Sequence, residues 1–148
     1  MSATKKILTS IHGRRVGLDI NGNIIVNGKS VPASVDEGAL VRVQPAPNAV
    51  NTSATLTAAQ QIGGIVTSTT GAAVSAQSAT GTALDTALPN LPIDEAFDLT
   101  FIATGANALT LTVNTGVTIV GSAVVATGTS GTFRFRKTAT ATYVAYRL

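Results

Sequence analysis

The distribution of charge along the chain constrains its fold more than any other feature. No lysine or arginine lies between Arg42 and Arg134, a stretch of 91 residues. The acidic residues of this stretch are Asp85, Asp94, Glu95 and Asp98. Ordinary soluble surfaces are about 25–35% charged. The exposed faces of the stretch must therefore consist mostly of hydroxyls and small apolar groups, and such a surface suits permanent contact with other protein.

The composition also limits the chemistry that the chain can perform. At 148 residues it has the size of one domain that needs no disulfide, and without cysteine it cannot form a thiolate metal site. The stretch between the two arginines contains no His, Cys or Trp, which removes most groups that enzymes use as bases, nucleophiles or metal ligands. We therefore expect no enzymatic activity, no cofactor and no metal.

The net charge of +3 is unevenly placed, because the basic residues lie near the two ends. The amino-terminal group comprises Lys5, Lys6, Arg14, Arg15, Lys29 and Arg42, and the carboxy-terminal group comprises Arg134, Arg136, Lys137 and Arg147. They form no run longer than two residues and are not interleaved with aromatic residues, so we expect no nucleic-acid binding.

Nothing in the sequence indicates a membrane or export. No uninterrupted apolar stretch has the length of a membrane helix. Residues 1–9 contain two lysines but are not followed by the apolar segment of a secretory signal. We expect no membrane partner.

The first third of the chain contains turn signals. Asn21-Gly22 and Asn27-Gly28 each separate apolar runs, and Asn-Gly is the strongest short signal for a β-hairpin. Pro45 and Pro47 have no amide N–H, so the backbone here lacks two hydrogen-bond donors, as in an extended connector. The predicted organisation is an amino-terminal arm with a small β-meander over residues 1–44, a connector over 45–49 and a body over 50–148.

The carboxy-terminal half shows the alternation of half-buried strands. Apolar residues alternate with polar ones over 97–101, 109–113 and 132–136, and Gly- or Asn-containing turns separate these segments. Residues 50–90 are weakly patterned, with strands expected at 54–57 and 62–69 and one short helix at 79–88 that Pro89 stops. Regular strand spacing favours a sandwich or barrel over any α/β arrangement, and we predict an all-β fold, an antiparallel β-sandwich.

Two motifs resemble ligand loops but fail on spacing. Gly28-Lys29-Ser30 is similar to the end of a phosphate-binding loop, yet the glycine before it, Gly22, lies one residue too far away, and Pro32 stands where a helix must open. The run Asp19–Asn23 mimics the first ligands of a calcium loop, but Ile24 and Ser30 occupy the positions of its glycine and its glutamate. Hairpin turns explain both segments better.

The remaining candidates for catalysis are one histidine and one acidic cluster. His12 is the only imidazole and has no nucleophile signature nearby, so a structural or interface role is favoured. Asp94, Glu95 and Asp98 crowd at a strand entrance, where an acid pair or a weak cation site is the alternative to a solvated turn. The solvated turn is favoured, because the chain lacks the aromatic residues of a sugar platform.

Two segments carry a resemblance to a known family. The run from Ser10 to Asp19, SIHGRRVGLD, resembles the amino-terminal arm of small structural proteins of tailed bacteriophages. The segments GVTIVG at 116–121, TSGTFRFRKT at 129–138 and YVAYRL at 143–148 are similar to the carboxy-terminal β region of the same proteins. The family is that of capsid decoration, or cement, proteins, and the matching parts cover about a third of the chain.

The resemblance implies a fold, a function and partners. The implied fold is a jelly-roll-like sandwich with an extended amino-terminal arm or hairpin, assembled as a dimer or trimer on the exterior of the virion after assembly in the host cytoplasm. The implied function is to stabilise the capsid by bridging neighbouring major capsid subunits; the alternative is a tail or fibre component that binds a host surface. Because the arm is basic with apolar positions between, we expect its capsid contacts at Lys5, Lys6, Ile7, Leu8, Ile11, His12, Arg14, Arg15 and Val16.

Overall fold

The structure is a computed structural model that describes residues 44–148 in full and, before them, only the backbone of four strands. These strands are β1 (Ile7–Ile11), β2 (Arg14–Leu18), β3 (Ile24–Val26) and β4 (Lys29–Val31). The chain divides into two compact units, Met1–Val43 and Gln44–Leu148.

The strands of the amino-terminal unit pair in chain order as an antiparallel sheet, β1-β2-β3-β4. Val16 is opposite Val26, and Ile24 is opposite Val31. The turns predicted at Asn21-Gly22 and at Asn27-Gly28 lie outside the described residues.

The carboxy-terminal unit contains ten strands and two short helices. In chain order they are β5 (Asn48–Ala49), β6 (Ala54–Thr55), α1 (Ala58–Ile62), β7 (Ile65–Ser68), β8 (Val74–Gln77), α2 (Gly81–Ala87), β9 (Ala96–Ala103), β10 (Leu109–Thr112), β11 (Val117–Val120), β12 (Val124–Val125), β13 (Thr129–Ala139) and β14 (Thr142–Arg147).

The chain winds alternately through two sheets. The six-stranded sheet has the order β11-β14-β13-β9-β7-β5, and the four-stranded sheet has the order β12-β10-β8-β6. Strands β5, β7 and β9 are parallel neighbours in the first sheet, and β6, β8 and β10 are parallel neighbours in the second. Helices α1 and α2 lie where the chain returns from the four-stranded to the six-stranded sheet. Parallel neighbours need such crossover connections.

Two successive strand pairs, β7-β8 and β9-β10, are related by a constant offset in residue number. Ile65 is opposite Thr100 in the six-stranded sheet, and Val74 is opposite Leu109 in the four-stranded sheet, an offset of 35 residues in both. The dipeptide Thr80-Gly81 recurs with the same offset as Thr115-Gly116. The segments β7-β8 and β9-β10 are therefore structurally equivalent.

The predicted all-β fold, a jelly-roll-like antiparallel β-sandwich, is wrong. Within residues 44–148, five of the eight strand pairings are parallel, and two helices interrupt the strands, so the fold is mixed α/β. Alternation shows only that one face of a strand is buried, whatever the direction of its neighbour. Most Gly- and Asn-containing turns carry the chain from one sheet to the other. The only hairpin in this range joins β13 to β14.

Threonine side chains begin both helices. The hydroxyl of Thr57 accepts a hydrogen bond from the amide of Gln60 at 3.2 Å, and the Gln60 side chain accepts one from the Thr57 amide at 2.9 Å. This reciprocal capping box satisfies two amides at the start of α1. Thr80 caps α2 by accepting a hydrogen bond from the amide of Ala83. Helix α2 lies inside the segment where a short helix is predicted, whereas α1 was not predicted.

The core fills the space between the inward faces of the two sheets. The six-stranded sheet contributes the largest side chains and the four-stranded sheet contributes smaller aliphatic ones. The fully buried members include Leu99, Phe101, Phe133, Phe135, Tyr143, Leu109, Leu111 and Val125. Phe101 and Phe133 meet edge to face with ring centroids 5.4 Å apart. Burial of each such side chain contributes roughly 1.5–3 kcal/mol, so the core holds the two sheets together without a disulfide.

Candidate functional site

The half-buried polar cluster of the carboxy-terminal unit centres on Asp85. Helix α2 carries this residue against the hairpin that joins β13 and β14. Its carboxylate accepts hydrogen bonds from the Tyr143 hydroxyl at 2.7 Å and from the Ala141 amide at 2.7 Å. It also forms an ion pair with Lys137, with 2.9 Å between the Lys137 Nζ and the Asp85 Oδ1. The Lys137 ammonium donates a further hydrogen bond to the carbonyl of Leu91.

The tip of the hairpin is held between two glycines. The Ala141 carbonyl approaches so closely that a Cβ atom would lie 1.9 Å from it at Gly81 and 2.3 Å from it at Gly116. Ala141 itself has a φ of 51°, a conformation that non-glycine residues rarely adopt. The Tyr143 amide donates a hydrogen bond to the Gly116 carbonyl at 2.8 Å. Gly81 and Gly116, which are equivalent residues of the two repeated segments, thus leave the space that the tip of the hairpin occupies.

The electrostatics of the cluster suit a structural role, in which Asp85 holds the β13–β14 hairpin against α2, better than a catalytic role. Hydrogen bonds from Tyr143 and the Ala141 amide, together with Lys137, lower the pKa of Asp85 from 3.8 to about 2. Burial and the Asp85 carboxylate raise the pKa of Tyr143. Near neutral pH the carboxylate is therefore ionised and the phenol is protonated. The Asp85 oxygens already accept three hydrogen bonds or ion-pair contacts from the protein, so this carboxylate is poorly placed to accept a proton from a substrate.

Two of the acidic residues singled out in the sequence, Asp94 and Asp98, bind different arginines. Arg134 binds Asp98 through two hydrogen bonds of 2.8 Å each, and Arg136 pairs with Asp94. Both ion pairs are substantially exposed to solvent. The carboxylates of Asp94 and Asp98 are each taken by a different arginine, which speaks against the alternative of an acid pair. Within residues 44–148 no group of three His, Cys, Asp or Glu residues is placed to hold a metal ion.

Arg147 completes the set of carboxy-terminal basic residues. Its guanidinium lies over the Phe133 ring at 5.1 Å from the centroid, a cation–π contact. It also covers Gly131, where an added Cβ would lie 1.4 Å from the Arg147 Nη1. All four basic residues of this end therefore make contacts within the carboxy-terminal unit.

The two compact units differ in net charge. Residues 44–148 contain four basic and four acidic residues, so their formal net charge is zero. Residues 1–43 contain six basic residues and the three acidic residues Asp19, Asp36 and Glu37. The whole net charge of +3 therefore belongs to the amino-terminal unit.

The outward faces of the two sheets have different chemistry. We call the outward side of the six-stranded sheet the large-sheet face; its apolar members are Ile65, Ile102, Val120, Val144 and Tyr146. Strand register places Val120, Tyr146, Arg134 and Asp98 in one row across it. Thr100 and Thr132 share a hydrogen bond of 3.0 Å in the next row, so a polar centre separates the apolar residues of β11 and β14 from those of β7 and β9.

The outward side of the four-stranded sheet carries mainly hydroxyls, and we call it the hydroxyl face. A shallow groove of about 300 Å³ lies there, lined by Ser53, Ala54, Thr55, Ser75, Gln77 and Thr112. The Thr55 hydroxyl donates to the Gln77 side-chain oxygen at 2.8 Å. The Gln77 amide group donates in turn to the carbonyl of Val113. The groove is neutral and suited to hydrogen bonding.

The predicted capsid contacts fall on the amino-terminal unit. Ile7, Leu8 and Ile11 belong to β1, and Arg14, Arg15 and Val16 belong to β2. The antiparallel register places Ile11 opposite Arg14 and Thr9 opposite Val16. Lys5, Lys6 and His12 lie outside the described residues.

Comparison of the chain with protein-family models, with curated proteins and with solved structures found no match. Among the described residues, no helix is long and apolar enough to cross a membrane.

Proposed function

We propose that the chain is a viral structural protein that decorates the exterior of a phage capsid and stabilises it by bridging neighbouring major capsid subunits. The observation that carries the proposal is the separation of charge between the two units. The unit that contains Ser10 to Asp19, the segment resembling the arm of decoration proteins, holds the entire net charge, whereas residues 44–148 are neutral and hold their own basic residues in internal contacts. A neutral block with a basic segment suits docking onto an acidic protein surface.

Both apolar and charged residues of the amino-terminal unit contribute to this docking. Exposed ion pairs contribute only about 0–1 kcal/mol each, so charge mainly sets the rate and register of binding. The apolar residues Ile7, Leu8, Ile11 and Val16 should therefore carry comparable weight. The partners in this proposal are the major capsid protein and further copies of the chain, as a dimer or trimer.

Deletion of residues 2–15 tests the proposal. The truncated protein should retain the unfolding transition of residues 44–148 but lose binding to capsids that lack the native protein, measured by co-sedimentation. Two full-length variants separate the contributions: Lys5, Lys6, Arg14 and Arg15 changed to Gln, and Ile7, Leu8, Ile11 and Val16 changed to Ser. The first should slow binding mainly at low salt, because screening already weakens exposed charges at high salt.

The second variant should weaken binding at every salt concentration, because apolar contacts are not screened. If the truncated protein decorates such capsids as tightly as the intact chain at low and at high salt, residues 2–15 do not form the contact.

A tail or fibre component that binds a host surface is the second candidate. The groove on the hydroxyl face favours it, because Ser75, Gln77 and Thr112 offer neutral hydrogen-bonding groups to a polar host ligand. The copy number of the chain in purified particles distinguishes the two candidates.

A further inference from the structure

We infer that the large-sheet face is the surface through which one copy of the chain binds a second copy. The inference deepens the proposed function, on which it rests, by assigning self-association to one face. The outward faces of the two sheets differ in their content of large apolar side chains. Outward positions on the four-stranded sheet carry mainly polar residues such as Ser75, Gln77 and Thr112, which water solvates well, and Val124 is the one large apolar residue among them.

Outward positions on the six-stranded sheet carry several large apolar side chains on both sides of a polar centre. Val120 is 53% exposed, and Ile102, Val144 and Tyr146 are half-buried on the same face. Leu148, just beyond β14, is 63% exposed and is tied to β13 through its amide, which donates to the Thr132 carbonyl. Apolar and aromatic groups of this kind are concentrated where proteins bury surface against a partner.

The charges on the face indicate the occupant. Arg134 lies beside Asp98, and Arg136 pairs with Asp94 at one end of the same sheet, so the face is electrically balanced. A strongly acidic or basic partner would find no complementary field here, whereas an identical copy is matched in charge. In a two-fold contact the Arg134–Asp98 pair of one copy can face the same pair of the other copy, so that opposite charges meet across the contact.

The dimensions of the face set the strength of the contact. Six strands spaced about 4.8 Å apart span roughly 24 Å, and strands of 2 to 11 residues at about 3.4 Å per residue have a mean length of roughly 20 Å. The resulting area is roughly 500 Å², below the approximately 800 Å² per partner of a standard interface. We therefore expect a weak dimer in solution, strengthened when copies are held side by side on a shell.

Sedimentation velocity of the full-length chain tests the inference, in the absence of any capsid. The intact chain should show dimers at concentrations up to about 100 µM. The double variant Val144→Lys/Tyr146→Lys should remain monomeric, because desolvating two ammonium groups disfavours the contact. The double variant Ser75→Lys/Thr112→Lys is the matched control on the hydroxyl face, and it should dimerise like the intact chain. Val120→Lys, on the edge strand β11, repeats the test should the first double variant unfold.

Three results would overturn the inference: an intact chain that stays monomeric, a large-sheet variant that dimerises normally, or a hydroxyl-face control that loses dimerisation equally. Because no capsid is present, failure here leaves the capsid-binding result of the arm deletion unaffected.

Discussion

Asp85 is the only charged residue between Arg42 and Asp94, and three groups from the β13–β14 hairpin converge on its carboxylate. Its pKa lies below the ordinary value, so the folded state favours the ionised form. The stabilisation is fully present above the ordinary pKa of 3.8 and is lost as the pH falls through the folded value of about 2. Asp85, the only charged residue of α2, thus stabilises the folded state.

We predict that Asp85→Asn destabilises the protein by about 1–2 kcal/mol at pH 7, since the shifted pKa carries roughly that free energy for a partly accessible group. Urea unfolding followed at several pH values should show the difference between variant and parent shrinking as the pH falls from 3.8 towards 2. Asp94→Asn is the matched control, because the Asp94 side chain is 69% exposed in its ion pair and should change stability little. A difference that stays constant down to the lowest pH would exclude the proposed charge effect.

Some residues of the site could be predicted from the sequence, whereas others could not. The favoured solvated turn agrees with the position of the exposed Asp94 before β9, whereas Asp98 lies within β9 and pairs there with Arg134. The Asp85 cluster was missed, because its partners lie more than 50 positions away in the chain, at Ala141 and Tyr143. The one available signal was the isolation of Asp85 in an otherwise uncharged segment.

At the scale of secondary-structure elements, strand positions follow from the sequence better than strand directions. The predicted strand at 62–69 contains β7, and the predicted helix at 79–88 contains α2. Parallel pairing could not be derived from alternation, since a strand with one buried face has the same pattern in either direction. The repeat of Thr80-Gly81 at Thr115-Gly116 was the available sign that equivalent turns of one winding stack on each other.

Gly81 and Gly116 should be required for the β13–β14 hairpin to pack against the two repeated segments. Gly81→Ala and Gly116→Ala should each destabilise the protein by at least about 2 kcal/mol, because the new Cβ would collide with the Ala141 carbonyl. Gly116 also has a φ of 79°, which adds backbone strain in the variant. Gly71→Ala is the control, since nothing lies within 4 Å of its added Cβ.

Thermal unfolding followed by circular dichroism provides the measurement for these variants. The control should unfold at or slightly above the parent temperature, because replacing a glycine in an ordinary conformation reduces the freedom of the unfolded chain. Parent-like unfolding of Gly81→Ala would show that the hairpin does not dock between the two turns.

At the scale of the whole molecule, the net charge lies in the smaller of the two units and most of the residues lie in the other. The amino-terminal unit carries the net charge of +3, and the carboxy-terminal unit is neutral with two chemically distinct outward faces. The sequence showed the uneven placement of basic residues, but not that those near the carboxy terminus are held within their own unit. That distinction depends on contacts such as Arg134 with Asp98 and Arg147 with Phe133, which form only in the folded chain. The charged contacts of the proposed capsid binding are therefore assigned to residues 1–43.

The copy number of the chain in purified virus particles tests most directly whether the chain coats a capsid, as we propose. Quantitative mass spectrometry with isotope-labelled peptides of this chain and of the major capsid protein gives the ratio of the two. A decoration protein that bridges capsid subunits must be present in numbers of the same order as those subunits. A few copies per particle would contradict the account and favour a tail or fibre component, and absence from the particles would exclude both.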